Sequence, residues 1–152
     1  MRMYRKNIGF IAGCFDGFHL GHQYILREAR KRCSELHVAI NYDKYIIKYK
    51  GSLLTPLKER RAKLLDYGVN HVHSFYRNPI YLIKKIRPKV IFVGDDYEIE
   101  DIVGYEECKL WGGKVQIIKR IPGFSSTKIR QNNTWLYLVI IYYEISNNNK
   151  II

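Results

Sequence analysis

Long apolar runs are missing from this chain of 152 residues: the longest, Trp135 to Tyr143, ends at Glu144. A bilayer-spanning helix needs roughly 20 apolar residues, so no membrane span is expected. Cysteine is scarce. Cys14, Cys33 and Cys108 form neither an even set nor a Cys-x-x-Cys pair, which argues against a disulfide framework and for reduced thiols. The start, Met1 to Asn7, is basic but leads into no apolar run with a small-residue cleavage site, so a cytoplasmic location is expected. Gly-x-Gly-x-x-Gly and Walker patterns are also absent, which argues against dinucleotide oxidoreductase and P-loop chemistry. Acidic residues are in deficit, 14 against 26 Lys+Arg, for a net charge of +12. The basic residues are dispersed in clusters of two or three. Charge alone therefore does not favour nucleic acid over small phosphorylated ligands or a solvated surface.

What is present is enough apolar and aromatic content, 47% and 14%, to exclude wholesale disorder and build one ordinary core. Short β-rich runs occur at Ile8 to Ala12, Leu36 to Ile40, His71 to Phe75, Val90 to Val93 and Val115 to Ile118. Helical stretches separate them. Gly21 to Cys33 places Ile25, Leu26 and Ala29 on one side. Thr55-Pro56 reads as an N-cap and first helical residue, opening a helix to about Asp66 that Gly68 stops. Pro79 opens a helix that ends before Pro88, and a further helix is expected from Ile99 to Trp111. This alternation predicts an α/β, Rossmann-like three-layer sandwich on a mostly parallel five-stranded sheet. Residues 1–130 are expected to form the domain and 131–152 a tail, apolar and then Asn-rich. The tail is expected to pack on the domain or on a second copy, so a homodimer is possible.

In such sheets ligands bind beyond the carboxyl ends of the strands. After the first strand comes Gly13-Cys14-Phe15-Asp16-Gly17-Phe18-His19-Leu20-Gly21-His22. His19 and His22, three apart at a helix start, can face one point where free N–H groups favour anions, and Gly21 allows close approach. This run resembles the G-x-F-D-x-x-H-x-G-H signature of the cytidylyltransferase-like nucleotidyltransferases. Gly94-Asp95-Asp96-Tyr97 is similar to that family's glycine–aspartate segment. Arg120 to Ile129 is similar to its R-x-x-G-x-S-T-T-x-I element, so the resemblance covers about Ile8 to Arg130.

The resemblance implies attack of an acceptor phosphate on the α-phosphorus of a nucleoside triphosphate, with pyrophosphate leaving. Charge develops on phosphate oxygens, so positioned donors are the main requirement. It assigns His19, His22 and Lys50 to catalysis. Cys14, Phe15, Gly21, His22, Asp96, Arg120, Ser125, Ser126 and Thr127 would bind nucleotide, and Asp16, Lys48 and Arg60 the acceptor. Mg²⁺ is the implied cofactor. The choice between Lys48 and Lys50 stays open. No metal-ligand set is expected in the protein: His71 and His73 share a strand face, but no third ligand is evident and a structural role is preferred.

The nucleotide divides the signals. Arg120 and Asp96 resemble the glycerol-3-phosphate and phosphoethanolamine cytidylyltransferases, and an arginine can donate to a cytosine edge. Lys50-Gly51, Thr55-Pro56-Leu57, Ile102-Val103-Gly104 and Gly112 to Val115 resemble the adenylyltransferase domain that activates heptose 1-phosphate. The sequence expectation is CTP with a phosphorylated polyol such as glycerol 3-phosphate. An ATP-dependent sugar-phosphate adenylyltransferase is the alternative, and a non-catalytic basic nucleic-acid-binding module a third reading.

Overall fold

The structure, a computed structural model, describes residues 6–120. Five strands, β1 (Ile8–Gly13), β2 (Glu35–Asn41), β3 (His71–Phe75), β4 (Val90–Gly94) and β5 (Lys114–Ile118), form one sheet in the order β3-β2-β1-β4-β5. Every pairing is parallel. Helices α1 (Leu20–Arg30), α2 (Asp43–Lys50), α3 (Leu57–Asp66), α4 (Ile80–Ile86) and α5 (Tyr105–Leu110) fill the crossovers. The predicted Rossmann-like sandwich is present.

Strand periodicity sorts side chains into two cores. Ile11, Val38, Ile40 and Phe92 meet Leu26 and Ala29 of α1 and Leu64 of α3 on one face. Phe10, Ala39 and Ile91 meet Ile83 of α4 and Cys108 of α5 on the other. Residues one apart on a strand thus serve opposite layers, which is what a sheet buried on both faces requires.

Three local expectations need correction. Helix α2 follows β2 almost at once, where no helix was expected. Its Asp43-Lys-Tyr-Ile-Ile-Lys-Tyr-Lys run buries only Ile46, so its apolar stripe is too thin to stand out. The N-cap of α3 is Pro56, not Thr55. The first free N–H, on Leu57, is instead satisfied by the Asp43 carboxylate at 2.9 Å, a cap borrowed from α2. Finally, Ile99 to Trp111 is not one helix: a 3₁₀ turn at Ile99–Asp101 is separated from α5 by Gly104 at φ 89°. A Cβ on Gly104 would lie 2.8 Å from Ile83 Cδ1, so the break is built against the neighbouring layer.

Among the described residues no helix is long and apolar enough to cross a membrane. Ser125, Ser126, Thr127 and the run Trp135 to Tyr143 lie outside the described residues.

Candidate active site

The carboxyl ends of the strands surround a cavity of about 490 Å³, within the usual range for small-molecule sites. His19, Gly21 and His22 line it from the start of α1, Cys14 and Phe15 from the preceding loop, and Lys50 from the end of α2. Asp96 and Arg120 line it from beyond β4 and β5.

The loop before α1 turns sharply. Phe15 and Phe18 both have positive φ, 50° and 28°, a conformation costly for residues with a Cβ. Both rings are buried in the core on the α1 face, and that burial offsets the strain. The result is an α1 N-terminus aimed into the cavity.

His19 is the N-cap and His22 the third helical residue, and they cap the helix reciprocally. The backbone N–H of His22 donates to His19 Nδ1 at 3.4 Å, and that of His19 to His22 Nδ1 at 3.2 Å. A backbone N–H can only donate, so both Nδ1 atoms are unprotonated acceptors. Burial lowers the His19 pKa from 6.5 to about 4. Burial, reinforced by His19, holds His22 well below 6.5. Both rings are therefore neutral at pH 7, with the remaining proton on Nε2. Stacked at 3.7 Å, they are two fixed N–H donors on one wall of the cavity.

This arrangement has a pH consequence. The unfolded chain takes up protons at these rings near pH 6.5, whereas folded His19 does so only near 4. Between those values the unfolded state binds more protons, so stability falls as pH drops through this window and is unaffected above it. Thermal melts from pH 7 to 4.5 should show Tm falling, and falling less in His19→Asn, which keeps a capping oxygen without the titration. An unchanged slope in that variant would contradict the assignment.

Asp16 and Arg60 do not face the cavity, contrary to the expectation that they bind the acceptor. Asp16 is fully buried, and its carboxylate accepts the N–H groups of Leu54 and Thr55, the latter at 2.8 Å. Arg60 is also fully buried. Its guanidinium donates to the carbonyls of Thr55, Cys14 and Asn41 at 2.7–2.9 Å and to Asp43 at 2.6 Å. The pair ties the end of β1, the end of β2 and the segment before α3 into one rigid floor. These are positioning residues.

Lys48 is exposed beside the Tyr49 ring and away from the cavity, so of the two lysines Lys50 is the one the fold brings to the site. Arg120 reaches the cavity already paired: Nε lies 3.0 Å from Asp95 Oδ1 and Nη1 3.3 Å from Asp96 Oδ2. This contact, chiefly its hydrogen bond, lowers the Asp95 pKa. Gly94 makes room for it, since a Cβ there would lie 2.9 Å from Asp96 Oδ1.

Sequence reading missed Asn41, Tyr45, Arg77 and Tyr97, all of which line the cavity. Asn41 sits at the end of β2, accepts from Cys14 Sγ at 3.4 Å and donates to the Tyr76 carbonyl at 2.9 Å. A polar residue directly after the apolar Val38-Ala39-Ile40 run was the available signal for it.

Comparison with known proteins bears on the family and the fold. Residues 10–132 match the cytidylyltransferase-like family. The chain is 40% identical over 121 residues to the bifunctional protein HldE of Koribacter versatilis, covering 77% of this chain and 25% of that protein. It is 38% identical over 124 residues to the HldE of Acidiphilium cryptum, covering 79% and 26%. The chain thus spans about a quarter of the length of these curated relatives. Among solved structures, a lipopolysaccharide core biosynthesis protein from Thermoplasma volcanium superposes with TM-score 0.61 at 21% identity, over 76% of this chain and 97% of that one. A pantoate–β-alanine ligase from Francisella tularensis gives 0.55 at 13% identity, over 95% and 73%. At such identities these two speak for the fold.

Proposed function

The chain belongs to the cytidylyltransferase-like family of nucleotidyltransferases, and from that premise we propose that it transfers AMP from ATP to a phosphorylated sugar of the heptose 1-phosphate class. The identity to the HldE proteins, 38–40% over more than three-quarters of the chain, carries the choice. It favours the adenylyl reading over the cytidylyl one. The cytidylyl argument rested on Arg120 donating to a cytosine edge, but two of its guanidinium nitrogens are already engaged by Asp95 and Asp96. Segments with adenylyl resemblance also reach the cavity, through Lys50, Ile102 and Val103.

In the proposed reaction an oxygen of the sugar phosphate attacks the α-phosphorus of ATP. The bond from that phosphorus to the β-bridging oxygen breaks, and pyrophosphate leaves. The His19 and His22 Nε2–H groups donate to the oxygens on which charge accumulates. A triphosphate beside these rings favours their protonation, so the donors strengthen as charge arrives. Lys50, also lining the cavity, neutralises phosphate charge. Mg²⁺ would arrive on the triphosphate as part of the substrate and neutralise its charge. Among the described residues the group of His, Cys, Asp or Glu near enough to share an ion, Glu35, His37 and His71, belongs to the β2 and β3 amino ends.

Calorimetry with Mg·ATP and Mg·CTP tests the nucleotide. ATP is expected to bind at least tenfold more tightly, a difference of about 1.4 kcal/mol. Tighter binding of CTP, abolished by Arg120→Ala, would return the assignment to a cytidylyltransferase.

A further inference from the structure

At the amino ends of β2 and β3 the fold assembles four side chains that the proposed chemistry does not use. Glu35 and His37 alternate on one face of β2, and His71 lies in register with His37 on β3, with His73 two residues on. Glu35 Oε1 lies 3.2 Å from His37 Nε2 and 2.7 Å from His71 Nε2. The other nitrogen of His37, Nδ1, lies 2.9 Å from His73 Nε2. The sequence offered His71 and His73 without a third ligand; the parallel register supplies Glu35 and His37.

We infer that Glu35, His37 and His71 form a binding site for a divalent transition metal of the zinc type. One ligand atom from each converges within 4.8 Å. Ligand atoms around tetrahedral zinc, with bonds of about 2.0–2.1 Å, stand about 3.3–3.4 Å apart. His37 already holds that spacing from Glu35, 3.2 Å. His71 must open by about 0.6 Å to reach it, and its side chain, 49% exposed on an edge strand, has room to swing. Two imidazoles and a carboxylate are a common zinc set, and solvent at His71 provides a fourth ligand as water.

The surroundings support the set. His73 fixes the ring of His37 through the nitrogen that does not face the metal, accepting where a carboxylate, backbone carbonyl or water more commonly does. Lys6 Nζ, at 2.7 Å, holds Glu35 Oε2 and leaves Oε1 to the cluster. Lys6 is 72% exposed, so its repulsion of a bound cation is screened by solvent. His37 is 4 residues from Asn41 at the catalytic end of β2, a rise of about 13 Å. A metal here would clasp edge strand β3 to β2 and take no part in nucleotidyl transfer, so this inference and the proposed function fail independently.

The test uses the full chain, stripped with a chelator and dialysed at pH 7.5, titrated with Zn²⁺ by calorimetry and with Co²⁺ by visible absorption. The expected result is one equivalent of Zn²⁺ bound with a Kd of about 1 μM or tighter. A visible cobalt band of a four-coordinate site and a higher Tm on adding zinc should accompany it. His71→Ala, on the exposed edge, should weaken binding by about 10- to 100-fold while leaving the apo protein's circular dichroism unchanged, and Glu35→Gln should do likewise. The double variant His19→Ala/His22→Ala should bind zinc as the wild type does. Absence of binding tighter than about 100 μM, full affinity in His71→Ala, or loss of binding with the His19/His22 pair would each overturn the site.

Discussion

Replacing His19 or His22 by alanine should lower kcat by about 10²- to 10³-fold, with a much smaller change in KM for the triphosphate. The neutral rings donate weakly to ground-state phosphates and more strongly as charge builds on the oxygens in the transition state. Alanine also removes a cap, which costs about 1 kcal/mol of stability. His19→Asn separates the two effects, because asparagine keeps a capping oxygen but offers no ring Nε2–H. It should melt close to the wild type and still lose most of the activity. Near-wild-type kcat in either alanine variant would show that these rings are structural caps and nothing more.

The second large effect falls on stability. Arg60→Ala should cost about 3 kcal/mol or more, because three carbonyls lose a buried charged donor at about 1–3 kcal/mol each, and lower Tm by about 10 °C. The loss strands the carbonyls of Thr55, Cys14 and Asn41 and one side of Asp43. Arg60→Lys should recover little, because a single ammonium cannot reach acceptors placed around a planar fork. Thermal melts of the three proteins check this; equal Tm values would mean that the site's floor is held in some other way.

Arg60 also marks where sequence reading stopped. The role implied for it, acceptor ligand, assumed an exposed side chain. Full burial depends on Asp43, on a helix that spacing did not reveal. Asp16 was misplaced for the same reason, since its partners, the Leu54 and Thr55 N–H groups, are 38 and 39 residues away along the chain. The succession of strands and helices, and with it the parallel sheet, by contrast followed from alternation of periods, and His19 and His22 from a local run whose geometry is set within one helical turn. The Glu35 cluster lay between these cases. His71 and His73 were visible, but only the β2–β3 register brings Glu35 and His37 to them. Local patterns survive translation into structure; contacts between distant segments need the fold.

The central claim is nucleotidyl transfer from ATP to a sugar phosphate, and acceptor-dependent pyrophosphate release measures it most directly. The full chain with Mg²⁺ should be assayed with ATP or CTP, each with heptose 1-phosphate, another sugar 1-phosphate, glycerol 3-phosphate or no acceptor. The account predicts pyrophosphate with ATP and a sugar 1-phosphate, fastest for the heptose. It also predicts little without acceptor, and loss of the signal in His19→Ala. Release only with CTP and glycerol 3-phosphate, or none in any combination from a folded protein, would contradict it.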